Sequence, residues 1–151
     1  MANEATGIFI EENFDYAHFI PNHPKCYPLH GHTAKVEIKL YGRKEAFDMI
    51  LDFGELKNIC KKVISNFDHK LIASKKYVKA IQNGLVEIEY NKFRLFIPLE
   101  NVYMLENEVT SENLSEELSK SLLENLPSNI EIIEVRIYEG NRKGAFTIRR
   151  R

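Results

Sequence analysis

The segment CYPLHGH, residues 26–32, places a cysteine and two histidines close together in the sequence. His30 and His32 are two residues apart, so both side chains point to one side if the segment forms a β-strand. His18 ends an upstream segment with its own alternating apolar residues, and it can lie beside this pair in a sheet. Three neutral imidazoles are typical of an open catalytic zinc site, where water or substrate takes the fourth position. The alternative is that these histidines only hydrogen-bond to the backbone.

Cys26 lies four residues before His30, in a proline-rich loop. A cysteine beside a cation can have a lowered pKa and act as a base or a nucleophile. It can instead be a fourth zinc ligand, which would close the site, or an ordinary exposed thiol. We interpret the other cysteine, Cys60, as a core residue because it lies on the apolar stripe of a predicted helix.

Acidic residues supply three further candidates. Asp68 directly precedes His69, and an aspartate can fix the tautomer of a histidine that exchanges protons with a thiol, although such pairs are also common at helix ends. Glu139 continues the apolar stripe of a predicted strand, so its partly buried carboxylate needs a partner such as the N–H edge of a guanine-like ring. The alternative for Glu139 is an exposed charge at a frayed strand end. Glu112, in the first turn of a predicted helix, has an ordinary explanation as a charge that favours the helix N-terminus.

These candidates depend on strands and helices that the sequence pattern predicts. Residues 7–19 alternate in polarity and predict a first strand, and HTAKVEIKLYG, residues 32–42, predicts a second. A helix is predicted from the N-cap Asp52, with Glu55 as the capping-box partner. A second helix is predicted from Thr110 to just before Pro127, which stops it.

The remaining elements complete an α+β pattern. Residues 85–99 predict a β-hairpin that turns near residues 91–92, and residues 130–150 predict two strands joined by the turn at 140–144. The order is therefore strand, strand, helix, hairpin, helix, strand, strand. Strands grouped at both ends with helices between them favour an antiparallel sheet with the helices on one face.

Composition excludes several classes of function. The 151 residues suit one domain, predicted as residues 1–151 with an insertion at about 73–108. With 21 basic and 22 acidic residues the net charge is −1, which argues against a general nucleic-acid binder. The beginning of the sequence does not read as a signal peptide, and no stretch is apolar enough for a membrane span. We therefore expect a cytoplasmic protein with reduced thiols and no membrane partner.

The motifs together resemble those of a known family. FDYAH, C-x-x-x-H-G-H, ILDFGELK, FDH, TSEN and YEG occur in the order found in the 6-pyruvoyl-tetrahydropterin synthase superfamily. The resemblance runs from about residue 14 to 146 and leaves the insertion uncovered. The three-residue gap between Cys26 and His30 is similar to the branch of 6-carboxy-5,6,7,8-tetrahydropterin synthases, which act in the synthesis of 7-deazaguanines (queuosine or archaeosine).

This resemblance implies a T-fold, with a four-stranded antiparallel sheet and two helices on one face. It also implies trimers stacked as a hexamer, with active sites at subunit interfaces. Zinc would be held by His18, His30 and His32. Protons would be moved by Cys26, Asp68 and His69. The pterin ring would be anchored by Glu139 in a pocket that Glu112 and Thr110 help to line.

The implied reaction is that of a zinc-dependent carbon–carbon lyase. It would convert 7,8-dihydroneopterin triphosphate to 6-carboxy-5,6,7,8-tetrahydropterin, acetaldehyde and triphosphate, with the triphosphate held by cations such as Lys25, Arg142 and Lys143. Alternatives within the superfamily are elimination to a pyruvoyl product and aldolase-like release of 6-hydroxymethyl-dihydropterin. Outside these reactions, the sequence allows a non-catalytic pterin- or purine-binding T-fold protein, or a structural zinc protein with Cys26 as fourth ligand.

Overall fold

The computed structural model describes residues 3–151 and contains two helices and nine strands. The first half comprises β1 (Gly7–His18), β2 (His30–Gly42), α1 (Phe53–Ile64), β3 (Lys70–Ser74), β4 (Val78–Gln82) and β5 (Leu85–Tyr90). The second half comprises β6 (Phe93–Pro98), β7 (Val102–Leu105), α2 (Ser111–Asn125), β8 (Ile130–Tyr138) and β9 (Gly144–Arg150). Short 3₁₀ turns occupy Ala46–Asp48, Lys75–Tyr77 and Leu99–Asn101. No helix within residues 3–151 is long and apolar enough to cross a membrane.

The main sheet confirms the predicted α+β class and has two strands more than expected. Its strand order is β7-β3-β1-β2-β8-β9. The four predicted strands β1, β2, β8 and β9 pair antiparallel, whereas β3 and β7 extend the edge beside β1 in parallel. The sheet is therefore six-stranded and mixed. Both added strands are short, and β3 is largely buried, so neither shows a sustained polar–apolar alternation in the sequence.

Both helices pack on one face of the main sheet and close its core. The even residues of β1 and β2 and the odd residues of β8 point to this face, as their alternating burial shows. Asp52 caps α1 by accepting a hydrogen bond from the Glu55 backbone N–H at 3.1 Å. Thr110 caps α2 by accepting one from the Asn113 N–H at 3.1 Å. The shared core therefore fixes the ends of β1 and β2 relative to the start of α2.

A separate three-stranded sheet fills the predicted insertion. Strands β4, β5 and β6 pair antiparallel in that order. The predicted hairpin is β5–β6, with its turn at residues 91–92 as expected, and β4 is an addition to it. This inserted sheet has its own apolar core, in which Val86 and Ile88 pack with Leu71 and Ala73 of β3. It is thus attached to the part of the main sheet that lies next to β1.

Candidate metal centre and active site

The pairing of β1 with β2 brings the three predicted histidines together. His18 is the cross-strand partner of His30, and His32 lies two pairs further along, opposite Tyr16. The Nε2 atom of His18 lies 3.0 Å from Nε2 of His30 and 3.1 Å from Nε2 of His32. His18 is buried, with 2% of its surface exposed, and the other two are half-buried. The three rings therefore direct their Nε2 atoms towards one point.

Two backbone carbonyls set the orientation of the rings. Nδ1 of His18 lies 2.7 Å from the Val109 carbonyl, and Nδ1 of His30 lies 2.7 Å from the Pro28 carbonyl. Because a carbonyl oxygen only accepts, each Nδ1 must carry the proton, which leaves a lone pair on Nε2 of a neutral ring. Burial lowers the pKa of His18 to about 4, so this ring is neutral at neutral pH.

The donor set fits a divalent cation. With the proton of each ring on Nδ1, the facing Nε2 atoms of His18 and His30 carry lone pairs, and a cation between them would account for their contact at 3.0 Å. Tetrahedral zinc with bonds of about 2.0–2.1 Å to nitrogen would hold its ligands about 3.3 Å apart. The distances observed are close to that value. Cys26 is not part of this cluster of ligand atoms in the described chain, so the geometry gives no support to a closed four-ligand site.

Glu139 lies beside the histidines at the end of β8. Its Oε1 atom is 3.9 Å from Nε2 of His32, and its Oε2 atom accepts a hydrogen bond from the Ser111 hydroxyl at 2.9 Å. Burial and the His30 charge lower the pKa of His32, and the charge on Glu139 acts in the opposite direction. Nothing in the sequence singled out Ser111, although a buried hydroxyl at the first position of α2 needs a partner. Glu139 is therefore a half-buried carboxylate held in place next to the metal candidates.

The other two predicted binding residues differ in placement. Thr110 is half-buried and follows Val109, whose carbonyl orients His18. Its hydroxyl is used in capping α2. The Glu112 side chain is exposed, and its carboxylate has no hydrogen bond among residues 3–151. The structure thus places Thr110 at the edge of the site and directs Glu112 to solvent.

Asp68 and His69 form a second cluster, joined by Asp15. His69 Nδ1 lies 2.9 Å from Asp68 Oδ2, and Asp68 Oδ1 accepts a hydrogen bond from the Asp15 backbone N–H at 2.9 Å. The His69 backbone N–H donates to the Asp15 carbonyl at 2.7 Å, and its φ of 58° is in the left-handed region. Asp15 Oδ2 faces His69 Nε2 at 3.9 Å. Asp15 touches both members of the predicted pair and was not among the residues predicted from the sequence.

The two clusters lie on opposite faces of the sheet. Asp15 has the opposite parity to His18 in β1, and its carboxylate accepts a hydrogen bond from its cross-strand partner Thr33. A cavity of about 730 Å³ lies on this side, lined in part by Asp15, Thr33 and His69. Cys26 is half-buried, and after burial and Glu139 it is the third cause that raises the pKa of Tyr16, whose ring packs against His18 and His32 on the other side. No hydrogen bond within residues 3–151 joins the Cys26 thiol to His69.

Changing Asp15 to asparagine is expected to lower the pKa of His69. Asp68 raises that pKa through its hydrogen bond and charge, and the charge on Asp15 adds to the effect. Asparagine keeps the shape and an oxygen for Thr33, so only the charge is removed. We expect a downward shift smaller than that in Asp68→Asn, measured by NMR titration of the imidazole protons. An unchanged titration in Asp15→Asn would show that this carboxylate does not act on His69.

Together, the fold and the site define a T-fold protein with a three-histidine centre. The sequence profile of the 6-pyruvoyl tetrahydropterin synthase family matches residues 7–150. The chain therefore belongs to that family, and it is an enzyme of the lyase type.

Relatives agree with this assignment, and a solved structure agrees with the fold. The chain is 39% identical, over 91% of its length and 87% of the relative, to a putative 6-carboxy-5,6,7,8-tetrahydropterin synthase of Pyrococcus horikoshii. It is 33% identical to the 6-carboxy-5,6,7,8-tetrahydropterin synthase of Rickettsia typhi, over 84% of this chain and 88% of the relative. The 6-pyruvoyltetrahydropterin synthase of Plasmodium vivax has a similar structure, with a TM-score of 0.82 over 98% of this chain and 99% of that one. At 21% identity this last likeness supports the fold alone.

Proposed function

We propose that the protein is a 6-carboxy-5,6,7,8-tetrahydropterin synthase. It converts 7,8-dihydroneopterin triphosphate and water to 6-carboxy-5,6,7,8-tetrahydropterin, acetaldehyde and triphosphate. The observation that carries the proposal is the convergence of three Nε2 atoms beside the fixed carboxylate of Glu139. The names of the relatives from Pyrococcus horikoshii and Rickettsia typhi support this branch of the family.

His18, His30 and His32 hold a zinc ion in this proposal. Their neutral imidazoles suit zinc, and the ligand set leaves a position for substrate. When bound, zinc supplies Lewis acidity that makes the hydroxyl groups of the substrate side chain more acidic. Because the carbonyls of Val109 and Pro28 fix two of the rings, the ligands are preorganised before the ion arrives.

Glu139 orients the substrate. Its carboxylate accepts hydrogen bonds from the N–H groups of the pterin ring, and the Ser111 hydroxyl holds it at the required angle. Thr110 lines the same pocket, with Glu112 at its exposed rim. The triphosphate needs cations, for which Lys25, Arg142 and Lys143 are available as exposed side chains. Lys25 neighbours Cys26, and the other two lie in the turn directly after Glu139.

Proton transfer is assigned to Cys26, His69 and Asp68. The thiol takes or returns a proton at the side-chain carbons of the substrate, and Asp68 holds the His69 imidazole in the required tautomer. Within one chain the thiol and the imidazole lie on different sides of the sheet. We therefore propose that a second copy of the chain brings His69 next to Cys26, in a hexamer built as a dimer of trimers. The high exposure of the His69 side chain, 75%, leaves it free to meet a partner.

The cellular setting follows from the same proposal. A small-molecule enzyme with two free cysteines suits a reducing compartment, so we propose that it works in the cytoplasm. Its partners are then a pterin triphosphate and further copies of itself, without nucleic acid or membrane.

A product assay tests the function. Zinc-loaded protein is incubated with 7,8-dihydroneopterin triphosphate, and pterins and acetaldehyde are followed by mass spectrometry. We expect 6-carboxy-5,6,7,8-tetrahydropterin and an equal amount of acetaldehyde. A pyruvoyl product without acetaldehyde would move the protein to the pyruvoyl branch and leave the site residues unchanged. No turnover by folded, zinc-containing protein would favour a pterin-binding protein without catalysis.

A further inference from the structure

The loop between β1 and β2, residues 19–29, carries Cys26 and joins two of the metal-ligand candidates. It has neither strand nor helix, and its shape depends on a few internal hydrogen bonds. The Ile20 N–H donates to the Cys26 carbonyl at 2.8 Å, and His23 Nδ1 accepts from the Cys26 N–H at 3.0 Å. These bonds fix the backbone around the cysteine relative to the rest of the loop. They do not fix the loop relative to the sheet.

The tip of the β5–β6 hairpin, residues 90–93, provides contacts from outside the loop. The Tyr90 ring stacks on Phe19, with ring centres 4.0 Å apart and planes at 8°. The Asn91 side-chain amide donates to the Pro21 carbonyl at 3.3 Å. Beyond Cys26, residues 27–29 face the same tip across a cavity of about 730 Å³. The hairpin tip therefore contacts the loop before the cysteine and faces it across a cavity after the cysteine.

The hairpin tip is itself well fixed. Tyr90 pairs with Phe93 across a two-residue turn, in which Asn91 adopts a φ of 49°, a conformation that asparagine tolerates better than most residues. The buried residues of β5 pack on β3 of the main sheet. The tip is thus held in a fixed position relative to the main sheet. It contacts a loop that has neither strand nor helix.

We propose that the hairpin tip positions the Cys26 loop, and that Tyr90 and Asn91 are positioning residues for the Cys26 thiol. The inserted sheet is then part of the active-site architecture, although none of its residues touches the reacting atoms. The expected effect of these two residues on turnover rests on the proposed function of Cys26. Their expected effect on the position of the thiol is independent of that function.

The test compares Asn91→Gly with Asn83→Gly. Asn83 has a φ of 54° in the β4–β5 turn of the same sheet, and its side chain has no hydrogen bond within residues 3–151. Glycine accepts positive φ without strain, so both variants keep their turns, and only Asn91→Gly loses a contact to the loop. Alkylation by iodoacetamide reports on Cys26 because Cys60 is fully buried. Zinc content, kcat and KM are measured in parallel.

In Asn91→Gly we expect Cys26 alkylation to accelerate about threefold and kcat to fall about tenfold, since a displaced catalytic group loses rate steeply. KM and zinc content should stay near the wild-type values, and Asn83→Gly should behave as wild type. Equal alkylation rates and kcat in the two variants would overturn the proposal. An altered alkylation rate in a protein that lacks turnover even as wild type would uphold the positioning and reject the proposed function.

Tyr90→Phe provides a second variant should Asn91→Gly fold poorly. It keeps the ring that stacks on Phe19 and removes the hydroxyl, whose pKa is raised by burial and lowered by the nearby Leu29 backbone. We expect faster alkylation of Cys26 and lower kcat, again with zinc retained. Wild-type values for both quantities would count against the proposal independently of the asparagine pair.

Discussion

His32→Ala protein is expected to bind zinc far more weakly and to lose measurable turnover. Two imidazoles and solvent would remain as ligands, and His18 and His30 would keep their orientation because backbone carbonyls hold them. Loss of a residue that hydrogen-bonds to a metal ligand typically lowers metal affinity 10- to 100-fold. Loss of a direct ligand should therefore lower it about 1,000-fold or more. The measurement is zinc affinity by competition with a chromogenic chelator, combined with the product assay.

Among the three histidines, His32 is the one to replace by alanine. Its side chain is only half-buried, so its removal leaves the core intact. His69→Ala is the matched control for loss of an imidazole. It should retain zinc with wild-type affinity, since His69 lies in the other cluster. If His32→Ala bound zinc as tightly as wild type, the three-histidine centre would be wrong as a metal site. If His69→Ala lost zinc as well, the ion would not reside where the Nε2 atoms converge.

The sequence predicts the strands that have one buried face. In β2, Ala34, Val36, Ile38 and Leu40 are fully buried while their neighbours are not, which is the alternation that the pattern indicated. Strands β3 and β7 were missed because short segments at the edge next to β1 carry no such period. Their parallel pairing depends on the path of the chain through the inserted sheet, and no local signal encodes that path.

For the candidate site, the sequence predicted which side chains come together better than it predicted the groups that orient them. The spacing of His30 and His32 places them on one face of a strand, and the register with β1 then puts His18 beside them. The groups that orient these side chains were not predictable, because they are backbone carbonyls of Val109 and Pro28 that come from loops. Asp15 was missed for a related reason. Its carboxylate meets His69 only through the pairing of β1 with β3, a tertiary contact.

Cys26→Ala protein is expected to bind zinc normally and to lose turnover by about 100- to 10,000-fold, the range typical for removing a general acid–base group. The thiol is outside the cluster of three histidines, so the metal-ligand atoms are unaffected. KM should change little, because the substrate contacts assigned to Glu139 and the cations remain. The measurements are kcat and KM in the product assay, with zinc content determined on the same samples.

Cys60→Ala is the matched control for loss of a thiol. Cys60 is fully buried on α1, and burial raises its pKa to about 12, so it has no thiolate to offer at neutral pH. Its replacement should cost about 1 kcal/mol of folding stability and leave kcat unchanged. Undiminished turnover in Cys26→Ala would reject the thiol as the proton carrier. Loss of zinc in that variant, with turnover lost as a consequence, would instead make Cys26 a metal ligand and the centre a structural one.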